Sequence, residues 1–272
     1  MRALSFALFL AFATPAVATP PAAPFHTKAP YALLVDQNTG KTLFAKNANA
    51  NMAPASTTKI LTAEVIFSLL ASGKLSIDDS FPISAHAATE GDAKSGGSSM
   101  FVAAGTRIKI DDLLSGMLTD SGNDAAIALA EGVAGSEAKF AGLMNAHARA
   151  IGMAHSRFAN PWGRAGNRVT ANDMARLAAY VIATYPQYYK YFGLPEFTWN
   201  GIRQQNRNPL LADGADGLKT GHLASSGFGL VASAVQGGHR LILVLNGLKS
   251  ERDRASEGRR LLEYGKAALA GG

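Results

Sequence analysis

The chain has 272 residues, 47% of them hydrophobic, and carries 26 basic against 20 acidic side chains for a formal net charge of +6. That length supports a substantial core, and the absence of cysteine excludes a disulfide-stapled scaffold, a thiol nucleophile and a Cys-ligated metal. The basic residues are scattered rather than clustered, which gives no nucleic-acid footprint. The six histidines lack the H-E-x-x-H and H-x-x-E-H spacings of zinc peptidases, so zinc-peptidase chemistry has no support.

The first segment, "MRALSFALFLAFATPAVATPPAAP", has a basic Arg2, an apolar run over 3–13 and the small-x-small exit Ala16-Val17-Ala18. It reads as a secretory signal peptide over residues 1–18, with an uncleaved anchor as the rival reading. Residues 19–272 are then one exported domain. Its removal takes away one arginine and no acid, leaving +5 on the mature chain. That charge suits an anionic envelope polymer as well as it suits an ordinary soluble surface. No other stretch is long and apolar enough to span a membrane.

Residues 31–46, "YALLVDQNTGKTLFAK", read as a β-hairpin. "MAPASTTKILTAEVIFSLLASGKL" (52–75) begins polar and becomes a helix apolar nearly all round, hence interior. "GDAKSGGSSM" (91–100) has the composition of a mobile loop. Two short helical patterns follow in 109–135. An amphipathic helix over 136–153 aligns Phe140, Leu143, Met144 and Ile151 on one face. Thr170 and Asp173 form a capping-box pattern at the next helix start. Residues 228–248 give two strands around Gln236-Gly237-Gly238-His239, and 251–269 are helical in pattern. No repeat is visible. Strands at both ends with helices between them predict an α+β fold. One antiparallel sheet is built from the N- and C-terminal segments, helices flank it, a helical lobe is inserted, and a cleft forms where lobe meets sheet.

The chemistry begins at Ser56 and Lys59. Residues three apart share a helix face, a helix N-terminus favours negative charge developing on the serine oxygen, and burial lowers a lysine pKa so that the neutral amine can accept a proton. The S-x-x-K spacing recurs at Ser136 and Lys139, but Ser136 stands where an N-cap belongs. A lysine entering an apolar interior is the more telling of the two, because buried lysines are rare unless paired or functional.

Two further motifs follow in order, Ser121-Gly122-Asn123 in "TDSGNDAA" and Lys219-Thr220-Gly221 in "GLKTGHLASSG". The trio S-x-x-K, S-x-N, K-T-G is the signature of class A β-lactamases and penicillin-binding proteins. The stretches "GSSMFVAAGTRI", "FTWNGIRQQNRNPLL" and "DGLKTGHLASSGFGLVASA" extend the likeness over about residues 30–265. The sequence resembles the low-molecular-mass penicillin-binding proteins, the D-alanyl-D-alanine carboxypeptidases of the bacterial envelope.

That resemblance implies roles. Ser56 attacks the D-Ala-D-Ala carbonyl and Lys59 takes its proton. Ser121 relays a proton to the leaving amine, Asn123 holds Lys59 and the substrate amide, and Lys219 tunes the proton network. Backbone N–H groups of Ser56 and His222 form an oxyanion hole, whereas the His222 side chain is equally well a strand-end surface residue. Gly221 lets substrate backbone approach. Arg207, Arg254 and Thr220 receive the terminal carboxylate, with a solvated helix-start residue as the rival reading of Arg254. The partners so implied are peptidoglycan stem peptides ending in D-Ala-D-Ala, with β-lactams as covalent inhibitors, in the periplasm or cell envelope. A D,D-endopeptidase would use the same residues. A class A β-lactamase would carry E-x-x-L-N between the second and third motifs, and that pattern does not occur. A β-lactam sensor would need a transmembrane transducer. Relative to many such carboxypeptidases, neither a C-terminal β-rich domain nor a firm membrane anchor is expected, since "RRLLEYGKAAL" (259–269) is short for one.

Overall fold

The structure, a computed structural model, describes residues 25–91 and 97–270; the signal-peptide segment lies outside them. In chain order come β1 (Tyr31–Asp36), β2 (Thr42–Lys46), a 3-10 turn (Ala55–Thr58) and α1 (Lys59–Ala71). Then follow β3 (Ser80–Pro82), α2 (Ala85–Glu90), β4 (Arg107–Lys109), α3 (Ile110–Thr119), α4 (Asn123–Ala134), α5 (Glu137–Ile151) and α6 (Ala171–Thr184). The short α7 (Pro186–Tyr189) leads to β5 (Glu196–Trp199), β6 (Ile202–Gln205), β7 (Ala215–Leu223), β8 (Gly227–Gln236), β9 (His239–Leu248) and α8 (Glu251–Ala270).

One five-stranded antiparallel sheet runs β2-β1-β9-β8-β7, so the N-terminal hairpin and the C-terminal strands close a single sheet, as the pattern predicts. Alternation along the strands sorts side chains to two faces. Leu34, Leu230, Ala232, Leu241, Leu243 and Leu245 pack with Leu261 and Leu262 of α8. Leu33, Val231, Ile242 and Val244 face the helical lobe. Strands buried on both sides read as nearly continuous apolar runs, which is why "RLILVLNGL" lacks alternation. Helix α8 approaches the sheet closely through glycines one heptad apart. A Cβ on Gly265 would stand 2.7 Å from Leu241 Cδ1, and one on Gly258 3.0 Å from Leu210 Cδ1.

Helix α1 is buried from Lys59 through Phe67, in keeping with its largely apolar sequence. Phe67 anchors it within a ring cluster, 5.4 Å from Tyr188, 6.0 Å from Phe192 and 6.1 Å from Tyr185 between centroids. Its one buried acid, Glu64, is partnered by His147 Nδ1 at 2.9 Å.

Three sequence expectations need adjustment. Leu143 is 39% exposed rather than on the packed face of α5; Phe140 and Met144 carry that contact, because three residues on from Phe140 the helix has turned its edge to solvent. At α6, Thr170 Oγ1 accepts from Asp173 N–H at 3.1 Å, but the Asp173 carboxylate accepts from His155 N–H and Ser156 Oγ instead of closing a reciprocal box. Within the glycine-serine loop, residues 92–96 lie outside the described residues, and 98–100 are tied down. Asn123 N–H donates to Ser98 O at 2.7 Å, and Asp124 accepts from Ser99 Oγ at 2.6 Å and Met100 N–H at 3.0 Å.

The second S-x-x-K is a cap. Ser136 Oγ accepts from Lys139 N–H. Ser136→Ala should cost about 1 kcal/mol, seen as a lower urea midpoint with an unchanged slope; an unchanged midpoint would contradict the assignment.

Candidate active site

Lobe and sheet meet at a cleft of about 530 Å³. Four segments converge there. The 3-10 turn brings Ser56, α1 begins with Lys59, the α3–α4 junction brings Ser121 and Asn123, and β7 brings Lys219, Thr220 and Gly221. Ser121 has φ +74°, an uncommon conformation for a residue other than glycine. It makes the turn that lets α3 end and α4 restart beside Lys59.

The Lys59 side chain is fully buried. Its Nζ donates to Ser56 Oγ at 3.0 Å, Asn123 Oδ1 at 2.7 Å and Trp162 O at 3.0 Å, with Ser121 Oγ at 3.4 Å. One amine therefore touches both serines. Its pKa is driven well below the ordinary lysine value, chiefly by burial and then by the charges of Lys219 and Arg207; Asp124 and Asp120 oppose them. Lys219 is also buried, and burial reinforced by Arg207 brings it down to about 7. Its Nζ lies 3.4 Å from Thr220 O.

Ser56 is held between two glycines. A Cβ on Gly221 would come within 2.8 Å of Pro54 O and 3.2 Å of Ser56 N. A Cβ on Gly163 would overlap Ala55 O at 2.0 Å and stand 2.7 Å from Ser56 N. The missing side chain at Gly221 thus has a reason within the protein's own packing: β7 must pass against the turn that carries Ser56.

Trp162 and its neighbours carried no signal in the sequence, since what Trp162 offers the amine is a backbone carbonyl. The loop is braced by side chains on every side. Asn160 Oδ1 accepts from Gly163 and Arg164 N–H at 2.9 and 3.0 Å. Asn167 Nδ2 donates to Thr58 Oγ1 at 3.0 Å, and Trp162 Nε1 donates to Glu137 Oε2 at 2.9 Å.

The expected carboxylate receptors both line the cleft but differ in kind. Arg254 is buried, contrary to its solvated reading, because α8 draws it under Phe228, 5.7 Å from that ring. Its Nε has no partner among the described residues, and its Nη2 is 3.5 Å from Glu251. Arg207 is already engaged, with Nη2 3.0 Å from Asp120 Oδ1 and Nη1 donating to Ser98 Oγ. Thr220 is buried at the cleft wall. His222 is exposed and stacks on Phe228 with centroids 3.9 Å apart. Asp120 was not foreseen; standing next to Ser121, it could have been found as an acid inside an otherwise apolar helix end. Among the described residues no group of acids and histidines could hold a metal.

A family model described as D-alanyl-D-alanine carboxypeptidase matches residues 16–250. The D-alanyl-D-alanine carboxypeptidase DacC of Escherichia coli is 42% identical over 239 residues, covering 86% of this chain and 60% of that protein. The chain spans about three fifths of the length of the curated relatives it matches. Among solved structures, D-alanyl-D-alanine carboxypeptidase DacD from Francisella tularensis superposes with a TM-score of 0.87 at 36% identity, over 93% of this chain and 73% of that one. Penicillin-binding protein D2 from Listeria monocytogenes, in an ampicillin-bound form, gives 0.76 at 27% identity, over 90% and 99%. By this match over most of its length, the chain belongs to the D-alanyl-D-alanine carboxypeptidase family.

Proposed function

We propose that this protein is a serine carboxypeptidase that removes the terminal D-alanine from peptidoglycan stem peptides through an acyl-enzyme on Ser56. The observation that carries the reading is the buried Lys59 amine, 3.0 Å from Ser56 Oγ and depressed in pKa. A neutral amine at that distance is a competent general base for a serine hydroxyl.

The proposed steps are these. Ser56 Oγ attacks the carbonyl carbon of the D-Ala-D-Ala bond as its proton moves to Lys59 Nζ. The resulting oxyanion is received by the N–H groups of Ser56 and His222, with β7 running alongside Ser56. The C–N bond then breaks, and the departing D-alanine amine takes a proton by way of Lys59 and Ser121, whose oxygen lies 3.4 Å from Lys59 Nζ. Water hydrolyses the ester and restores Ser56. Asn123 keeps Lys59 in place at 2.7 Å. Arg254, assisted by Thr220 and Arg207, attracts the substrate's free carboxylate. A β-lactam presents the same kind of carbonyl and carboxylate, so it acylates Ser56 and stays attached for as long as water is slow to release it. The amino-terminal pattern supports export, with action in the periplasm or cell envelope.

On a peptide ending in D-Ala-D-Ala, the protein should release free D-alanine, and Ser56→Ala should abolish release together with the covalent benzylpenicillin adduct seen by intact mass. Full activity in Ser56→Ala would refute the proposal. Cleavage of crosslinked dimers without release of terminal D-alanine would mean an endopeptidase. An adduct that turns over rapidly to penicilloate would mean a β-lactamase.

Lys59→Arg puts a permanent cation in place of the amine and provides no neutral base, since guanidinium does not deprotonate in proteins. Its acylation rate should fall on the order of 10²–10⁴-fold; a rate within a few-fold of the parent would place the base elsewhere.

A further inference from the structure

Asp120 stands immediately before Ser121, and its side chain is 2% exposed. Oδ1 accepts from Arg207 Nη2 at 3.0 Å, and Oδ2 is buried with no hydrogen-bond partner among the described residues. A carboxylate withdrawn from water in this way needs compensating charge. The cations that act on it come from separate segments, Arg207 from the loop between β6 and β7 and Lys219 from β7, and its own field reaches Lys59 at the start of α1. Arg254 on α8 adds a further positive charge near Lys219. The other nearby acid, Asp124 on α4, spends both oxygens on Ser99, Met100 and Val102. Asp120 is thus the acid that sits among these cations with one oxygen uncommitted.

Arg207 has the complementary peculiarity. Both terminal nitrogens are engaged, one by Asp120 and one by Ser98. Arg254 offers the better receptor for a free carboxylate, having an unpartnered buried Nε and only a long contact to Glu251.

We propose that Asp120 is a positioning residue that ties Arg207 down and offsets its charge, so that the Asp120–Arg207 pair sets the field around Lys59 and Lys219. The proposal rests on the reading of Ser56 and Lys59 as nucleophile and base. Its chemistry follows from signs. A negative Asp120 favours protonated lysines, and a positive Arg207 disfavours them, as their opposite effects on both lysines reflect. Burial raises the Asp120 carboxyl itself, against the pull of Arg207 and Lys219. The neutral lysine is the base, so acylation switches on as pH rises through its titration.

The test is the pH dependence of acylation by benzylpenicillin, followed by intact mass, for the parent, Asp120→Asn, Asp120→Glu and Arg207→Gln. Asp120→Asn should move the acidic limb to lower pH by on the order of one unit, the effect of one near charge. Below the parent's limb it should then retain roughly tenfold more of its own maximal rate than the parent does. Arg207→Gln should move the limb the opposite way, and Asp120→Glu should restore the parent's position. A residue that only supports the fold would lower the rate equally at every pH. An unmoved limb in Asp120→Asn, or shifts of the same sign in Asp120→Asn and Arg207→Gln, overturns the proposal. Should Asp120→Asn fail to fold, the direction of the Arg207→Gln shift decides, and an unmoved limb there is equally fatal. A parent that is not acylated at Ser56 at any pH would instead remove the function on which this inference rests, and the inference with it.

Discussion

Lys59 places a basic amine where water does not reach it, at the mouth of a helix that is buried on all sides. An ammonium withdrawn from solvent is costly unless it is well paired. The surroundings provide acceptors for its hydrogens from Ser56, Asn123 and Trp162 but no direct carboxylate, and two further cations press on it. Burial and these two charges together push the amine toward its neutral form. The remaining features of the site keep that amine dry and aimed: the apolar α1, the turn at Ser121 and the loop at 160–164 that caps it from the other side.

The two lobes have different tasks in this arrangement. The sheet contributes a rigid edge, β7, buried on both faces over most of its length and pressed so closely on the Ser56 turn that Gly221 cannot carry a side chain. The lobe contributes Ser121 and Asn123 from a helix junction, locked by the bonds of Asp124 to the 98–102 segment. Proximity of this kind converts three distant stretches of sequence into one reacting geometry.

Much of this was legible before any coordinates. Hydrophobic periodicity gave the hairpins, the buried α1 and the closure of one sheet by both ends of the chain. Motif order gave the residues that meet at the cleft, and the capping logic correctly separated Ser136 from Ser56. What escaped were contacts without a side-chain signature or with a partner far along the chain. Trp162 acts through its carbonyl, and Gly163 matters because of a backbone 108 residues earlier at Ala55. Leu143 fitted a helical stripe, yet only the docking of α5 determines how wide that stripe is. Arg254 reads from the motif likeness as a carboxylate receptor, but the burial of its guanidinium depends on how α8 is laid across Phe228, which no local pattern encodes. Asp120 and Arg207 lie 87 residues apart, and neither the acid nor the arginine announces the other.

The most direct measurement of the central claim is the protonation state of Lys59 itself. In protein labelled with ¹⁵N at lysine Nζ, titrated by NMR and assigned by loss of the signal in Lys59→Arg, the account requires a Lys59 nitrogen that is already amine-like near neutral pH. A Lys59 signal that remains an ammonium up to the ordinary lysine range, about pH 10, would contradict it and remove the general base from the proposed mechanism.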